Sequence, residues 1–117
     1  MDTLSPEERE ALQRLYRALR HFRAMMGPTV PSQVIQAFLA VALDEGKAVS
    51  DYAAALGSNL STASRHFMDL SDRSRNKAEG HMMIVRQRNP MNEREVLMSL
   101  SGQGKLMRRL VLETMGC

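Results

Sequence analysis

Apolar residues along this chain recur mostly at helical spacing. Leu12, Leu15, Leu19, Phe22 and Met26 stand three and four apart and draw one stripe. Ahead of them Ser5, Pro6 and two glutamates make a helix start: a capping hydroxyl, a proline in the first turn, and acids at the positive end of the dipole. "MGPTVP" stops that helix, since Gly27, Pro28 and Pro31 cannot continue it. Ser32 is placed to cap a second helix carrying Val34, Ile35, Phe38, Leu39 and Ala42, with Gly46 of "DEGK" as its C-terminal cap. A third helix is predicted from Asp51 to Leu56 with Ser50 as its cap. Gly57 supplies a positive-φ turn, and Asn59 caps a fourth helix. The period then changes. "SDRSRNKAEGH" is polar loop, "MMIVRQR" and "EVLMSL" read as strands, and "NPMNER" is the turn between them. Ser101 to Met115 closes the chain as a basic amphipathic helix.

That order predicts one mostly α domain with a small β-hairpin. The N-terminal helix takes residues 1–27, a helix-turn-helix core with its hairpin 32–100, and a C-terminal helix 101–117. A chain of 117 residues supports one core, not two. Ten methionines, among them Met25, Met26, Met82, Met83, Met107 and Met115, take the space that 4% aromatics and no tryptophan leave, so an adaptable core is expected.

In the fourth helix Leu60, Ala63, Phe67 and Leu70 share a face and are expected in the core. Ser61, Thr62, Ser64, Arg65 and Asp69 lie opposite. Short hydroxyls and an arginine early in a second helix suit base edges and phosphates, but a plain surface helix shows the same polarity. Charge is uneven along the chain. From Ala24 to Ser64 there are three acids and one base; from Arg65 to Leu100, seven bases and five acids; from Ser101 onward, three bases and one acid. The formal net charge of +3 suits a polyanionic partner and fits a solvated surface almost as well.

A helix-turn-helix followed by a hairpin with a basic turn and another helix is winged-helix order. "YAAALGSNLSTASRHFMDL" resembles the helix-turn-helix of the multiple-antibiotic-resistance regulator (MarR) family of transcription factors, with "STASR" in the recognition helix. "NPMNEREVLMSLSGQG" resembles that family's wing, a D-P-x-D-x-R-like turn leading through a strand into an L-T-x-x-G-like helix start. The resemblance spans roughly Ser32 to Arg109. It implies that Ser61, Thr62, Ser64 and Arg65 meet the major groove and that Arg94, at the wing tip, enters the minor groove. It also implies a DNA-binding transcriptional regulator, usually a repressor, acting on palindromic operators as a homodimer. The sequence departs from the family at Asn89 and Asn92, where acids are frequent, and at Ser58, where an apolar residue usually locks the turn. Family members also commonly carry one more helix than this chain, so effector binding is expected less than DNA binding.

Arg73, Arg75 and Lys77, together with Arg86 and Arg88, are further candidates for phosphate contact, or else keep a loop and a strand edge soluble. The stripe from Leu12 to Met26 is longer than one docking requires. It is expected to pair with Leu106, Leu110 and Met115 of the closing helix across a two-fold dimer. His21, His66 and His81 lie far apart with no ligand spacing, so no metal is expected. Ser61 and Ser64 have no base arrangement for nucleophilic chemistry. Cys117, the only cysteine, allows no intrachain disulfide. No enzyme activity or cofactor is expected. With no signal core and no membrane-length apolar run, a cytoplasmic location is expected. A winged helix that binds another protein rather than DNA remains the rival reading.

Overall fold

The computed structural model describes residues 2–72 and 79–117. Its elements are α1 (Pro6–Met26), α2 (Ser32–Leu43), β1 (Lys47–Ala48), α3 (Val49–Leu56), α4 (Leu60–Leu70), β2 (Ile84–Asn89), β3 (Asn92–Leu100) and α5 (Gly102–Thr114). The three strands form an antiparallel sheet in the order β1-β3-β2. This is a winged helix: α2, α3 and α4 form the helical body, and the β2–β3 hairpin is the wing.

Local chemistry sets most of the helix ends. At the start of α1 the Glu8 amide donates to Ser5 Oγ (3.1 Å) while the Ser5 amide donates to Glu8 Oε1 (2.9 Å), two otherwise unpaired donors satisfied reciprocally. The bond from the Ser5 amide holds the Glu8 carboxyl below its ordinary value. Ser32 and Ser50 do not act as caps. Pro31 precedes α2 with extended backbone, and its carbonyl accepts from Val34 and Ile35, so Ser32 is already the first helical residue. At α3 the Asp51 carboxylate reaches back to the Ala48 amide (3.1 Å), which starts the helix at Val49. Gly46 is likewise not a cap. α2 closes at Asp44, and Gly46 stands in the following turn at φ +86°, donating to the Met98 carbonyl (2.6 Å).

The core lies where α2, α4, the sheet and the second half of α1 meet. Phe22 sets its ring edge against Phe38 at 5.7 Å between centroids, and Tyr52 leans on Phe67 at 5.5 Å. Met26, Met83, Met98 and Met107 fill the space between them, as the scarcity of aromatics suggested. Met82 and Met115, by contrast, are exposed. Phe22 (2% exposed) and Met26 belong to this core, so they are unavailable to a second chain. Leu12, Leu15 and Leu19 stand on the part of α1 that runs past the body, and all three are exposed together with Tyr16. The radius of gyration, 15.7 Å, exceeds the roughly 13 Å of a compact chain this long, consistent with that overhang.

β1 was not foreseen. Its two residues pair with Met98 and Leu97 of β3, and a buried tyrosine secures the junction. The Tyr52 hydroxyl bonds to the Asp44 carbonyl and accepts from the Lys47 amide (3.2 Å), tying α3 to the strand that precedes it. Burial pushes its phenol pKa above the ordinary value. Glu45, alongside, accepts from the Leu100 amide (2.8 Å) and from Arg108 of α5 (3.3 Å). These bonds, led by that of the Leu100 amide, hold its carboxyl below the usual range.

Candidate nucleic-acid interface

Between α3 and α4 the chain reverses as the sequence predicts. Gly57 takes φ +65°. The Gly57 amide donates to the Ala54 carbonyl and that of Ser58 to Ala53 (3.0 Å), which closes α3 with paired carbonyls. Ser58 thus holds the turn through its backbone, with no apolar side chain needed. Asn59 then caps α4, its Oδ1 accepting from the Thr62 amide at 2.8 Å and from the Ser61 hydroxyl at 3.1 Å.

Ala63, Phe67 and Leu70 anchor α4 in the core. Ser61 and Arg65 are exposed, and Thr62 and Ser64 are half-buried. Leu60, expected in the core, is 57% exposed, because the first turn of α4 projects past the edge of the body. At the other end of the helix the His81 amide donates to the Asp69 carbonyl, that of Met82 to Ser71 and that of Met83 to Leu70, so the chain entering the wing is stitched to the end of α4. Burial there lowers the pKa of His81, against the opposing charge of Asp69.

The wing differs in detail from the sequence expectation. Its turn is only Pro90–Met91, and Arg94 lies on β3 rather than at the tip. The pairing of β2 with β3 jumps from Arg88↔Val96 to Asn89↔Asn92, leaving Glu93, Arg94 and Glu95 without counterparts on β2. The asparagine side chains close this end: Asn89 Oδ1 accepts from the Met91 amide (3.0 Å) and Asn92 Oδ1 from the Arg94 amide (3.2 Å). An aspartate could do the same. Only the amide of Asn89, however, can also donate to Glu95 Oε1 (3.0 Å).

Arg94 comes instead to the mouth of a cleft of about 260 Å³, shared with Ser50 of α3 and with Leu60 and Ser64 of α4. The wing therefore brings Arg94, with Glu95 next to it, beside the first turns of α4. Arg86 and Arg88 follow Ile84 at two-residue spacing on one sheet face. Ile84 is in the core, whereas the arginines extend beyond it into solvent. They border a second cleft with Ser71 and Asp72 at the far end of α4. None of Arg65, Arg86, Arg88 and Arg94 is ion-paired with a described residue. Arg73, Arg75 and Lys77 lie outside the described residues. Sequence reasoning missed Leu60 and the exposed Met91, whose positions depend on where the body and the hairpin end.

No protein-family model matches the chain, and no curated protein matches it by sequence. Solved structures do match. A probable transcriptional regulator from Pseudomonas aeruginosa aligns with TM-score 0.62 at 16% identity, over 88% of this chain and 71% of that one. A mutant MarR from E. coli complexed with operator DNA aligns with TM-score 0.61 at 16% identity, over 95% and 74%. The fold is that of the MarR-type regulators. A MarR-like transcriptional regulator from Thermotoga maritima aligns equally well, with TM-score 0.61 and 19% identity over 96% and 76%. In the MarR fold α4 is the second helix of the helix-turn-helix and β2–β3 the wing. These neighbours are transcriptional regulators, not enzymes. Among the described residues no group of three or more His, Cys, Asp or Glu could hold a metal ion, and no helix is long and apolar enough to cross a membrane.

Proposed function

We propose that this protein is a transcriptional regulator that binds double-stranded DNA as a homodimer and acts by repression, inside the cytoplasm. The observation that carries this reading is that Arg94 of the wing and Ser64 of α4 line one cleft, which sets a wing arginine beside α4. Ser61, Thr62, Ser64 and Arg65 would enter the major groove. Arg86, Arg88 and Arg94 would take phosphates and the adjoining minor groove, with Arg73, Arg75 and Lys77 adding phosphate contacts. Leu12, Leu15, Leu19 and Tyr16 of α1, with Leu106, Leu110, Leu112 and Met115 of α5, would form the dimer seam. The structural neighbour solved on operator DNA supports the choice of ligand. Repression would be steric, a dimer seated across both half-sites of a promoter. Nothing in this mechanism requires a reaction or a cofactor.

Gel shifts with random and selected duplexes across a salt series test the reading. Each phosphate neutralised lowers log affinity by about 0.9 per decade of salt, so several arginines give a steep loss. A chain that binds no duplex at any salt would instead be a protein-binding winged helix. Arg65→Ala should cost about 1–3 kcal/mol at a selected site, the worth of a good base contact, and relax the sequence preference there. Its thermal melt should match wild type, because Arg65 is exposed and bonds to no described residue. Unchanged affinity would show that this side of α4 does not read DNA.

A further inference from the structure

The wing ends in an apolar point. Pro90 and Met91 make the whole turn, and Met91 is 92% exposed, touching no part of the core. The point is also stiff. Asn89 and Asn92 hold the amides of Met91 and Arg94, Asn89 holds Glu95, and Pro90 has its φ fixed by its ring. Three side-chain bonds within seven residues thus secure a turn that has no packing to secure it. Beside it stand Arg88 and Arg94 with Glu93 and Glu95, the second of which is bonded to Asn89, while Arg86 lies further down β2, opposite Met98.

We propose that Met91, backed by Pro90, is a wedge that enters the minor groove and inserts between stacked base pairs, while Arg88 and Arg94 hold the phosphates beside it. The proposal rests on the DNA-binding reading above and adds to it a deformation of the duplex. Proteins that work through the minor groove insert methionine, proline and other apolar side chains in this way. The unstacking cost is offset by apolar burial and by the further protein surface that the bent duplex reaches. A turn with a fixed backbone serves better than a mobile one, because the freedom lost on insertion is then confined to the methionine side chain. Over the whole hairpin three arginines stand against two glutamates, and this net positive charge favours a polyanion over a second copy of the same hairpin. Pyrimidine–purine steps unstack most easily, so they are the expected insertion points.

The test uses the full chain and a duplex selected from a random library, with 2-aminopurine placed at each adenine in turn. Wild type should raise the fluorescence severalfold at a step in each flank. Met91→Leu should keep that signal, and Met91→Ala should lose it with an unchanged melting curve. Fluorescence that persists in Met91→Ala overturns the proposal, as does tight, salt-sensitive binding with no brightening at any position. Failure to bind any duplex removes the DNA-binding reading itself, and the wedge with it.

Discussion

Gly104→Ala is expected to destabilise the fold by about 2–3 kcal/mol, against the usual sign for such a change. Alanine ordinarily favours a helix over glycine by up to about 1 kcal/mol. Here a Cβ would lie 2.0 Å from the Met83 carbonyl oxygen and 3.3 Å from Leu100 Cβ. That carbonyl cannot retreat. It accepts from the Ser101 amide (3.0 Å), and the amide of the same residue donates to the Leu70 carbonyl (2.8 Å), so Met83 is held between the end of α4 and the start of α5. Relief must come from moving α5 as a whole, which is overpacking at a fixed backbone and costs toward the upper end of its usual 1–3 kcal/mol. Gly102, two residues earlier, has nothing within 4 Å of its would-be Cβ, so Gly102→Ala supplies the control and should be neutral or slightly stabilising. Urea melts of the two variants would settle the matter, and equal stability of Gly104→Ala and wild type would refute the close approach. The effect bears on the proposed function too, because this glycine sets how closely α5, half of the proposed dimer seam, is tied to the end of α4.

What could be read from the sequence depended on how local its cause was. The Gly57 turn, the Asn59 cap on Thr62 and the Ser5 cap on Glu8 are each set within three residues, and each stands where the residue types place it, while Ser101, read as the first helical residue, proves to be the cap of α5. β1 escaped because its cause is distant: two residues become a strand only by pairing with Leu97 and Met98, some fifty positions on. Arg94 was placed at the tip because "NPMNER" reads as one polar turn. In fact Asn89 and Asn92 close a two-residue turn with their side chains and leave the arginine on the strand. Leu60, Phe22 and Met26 share a further cause. Periodicity says which face of a helix is apolar, but not how far along the helix its neighbours extend. α4 begins beyond the body and exposes Leu60, while α1 ends within it and buries Phe22 and Met26.

The second large effect follows from that overhang. Leu15→Glu is expected to turn a dimer into a monomer and to cut affinity for a palindromic site by about 10²–10⁴-fold, the avidity that joining two binding modules supplies. Leu15 is 51% exposed in the single chain, between Leu12 and Leu19 and beside Tyr16. Near this part of α1 the end of α5 comes within reach, with Arg14 Nη1 donating to the Met115 carbonyl at 3.4 Å. Exposed leucines scattered singly need no explanation, but a run of them along the projecting half of one helix, with Leu106, Leu112 and Met115 on the other, is a patch of the kind that a partner covers. Two-fold symmetry would place one new carboxylate from each copy in the same seam, where desolvation costs several kcal/mol per ion. The body should fold regardless, since Leu15 lies outside the core. Phe22→Ala would not serve as the test, because emptying a core aromatic site costs about 3–5 kcal/mol and confuses assembly with folding. Light scattering should report twice the chain mass for wild type and the chain mass for Leu15→Glu, with single half-sites bound equally by both. A wild type that stays monomeric across concentrations would remove the two-fold seam, and α1 would then need another occupant for its leucines.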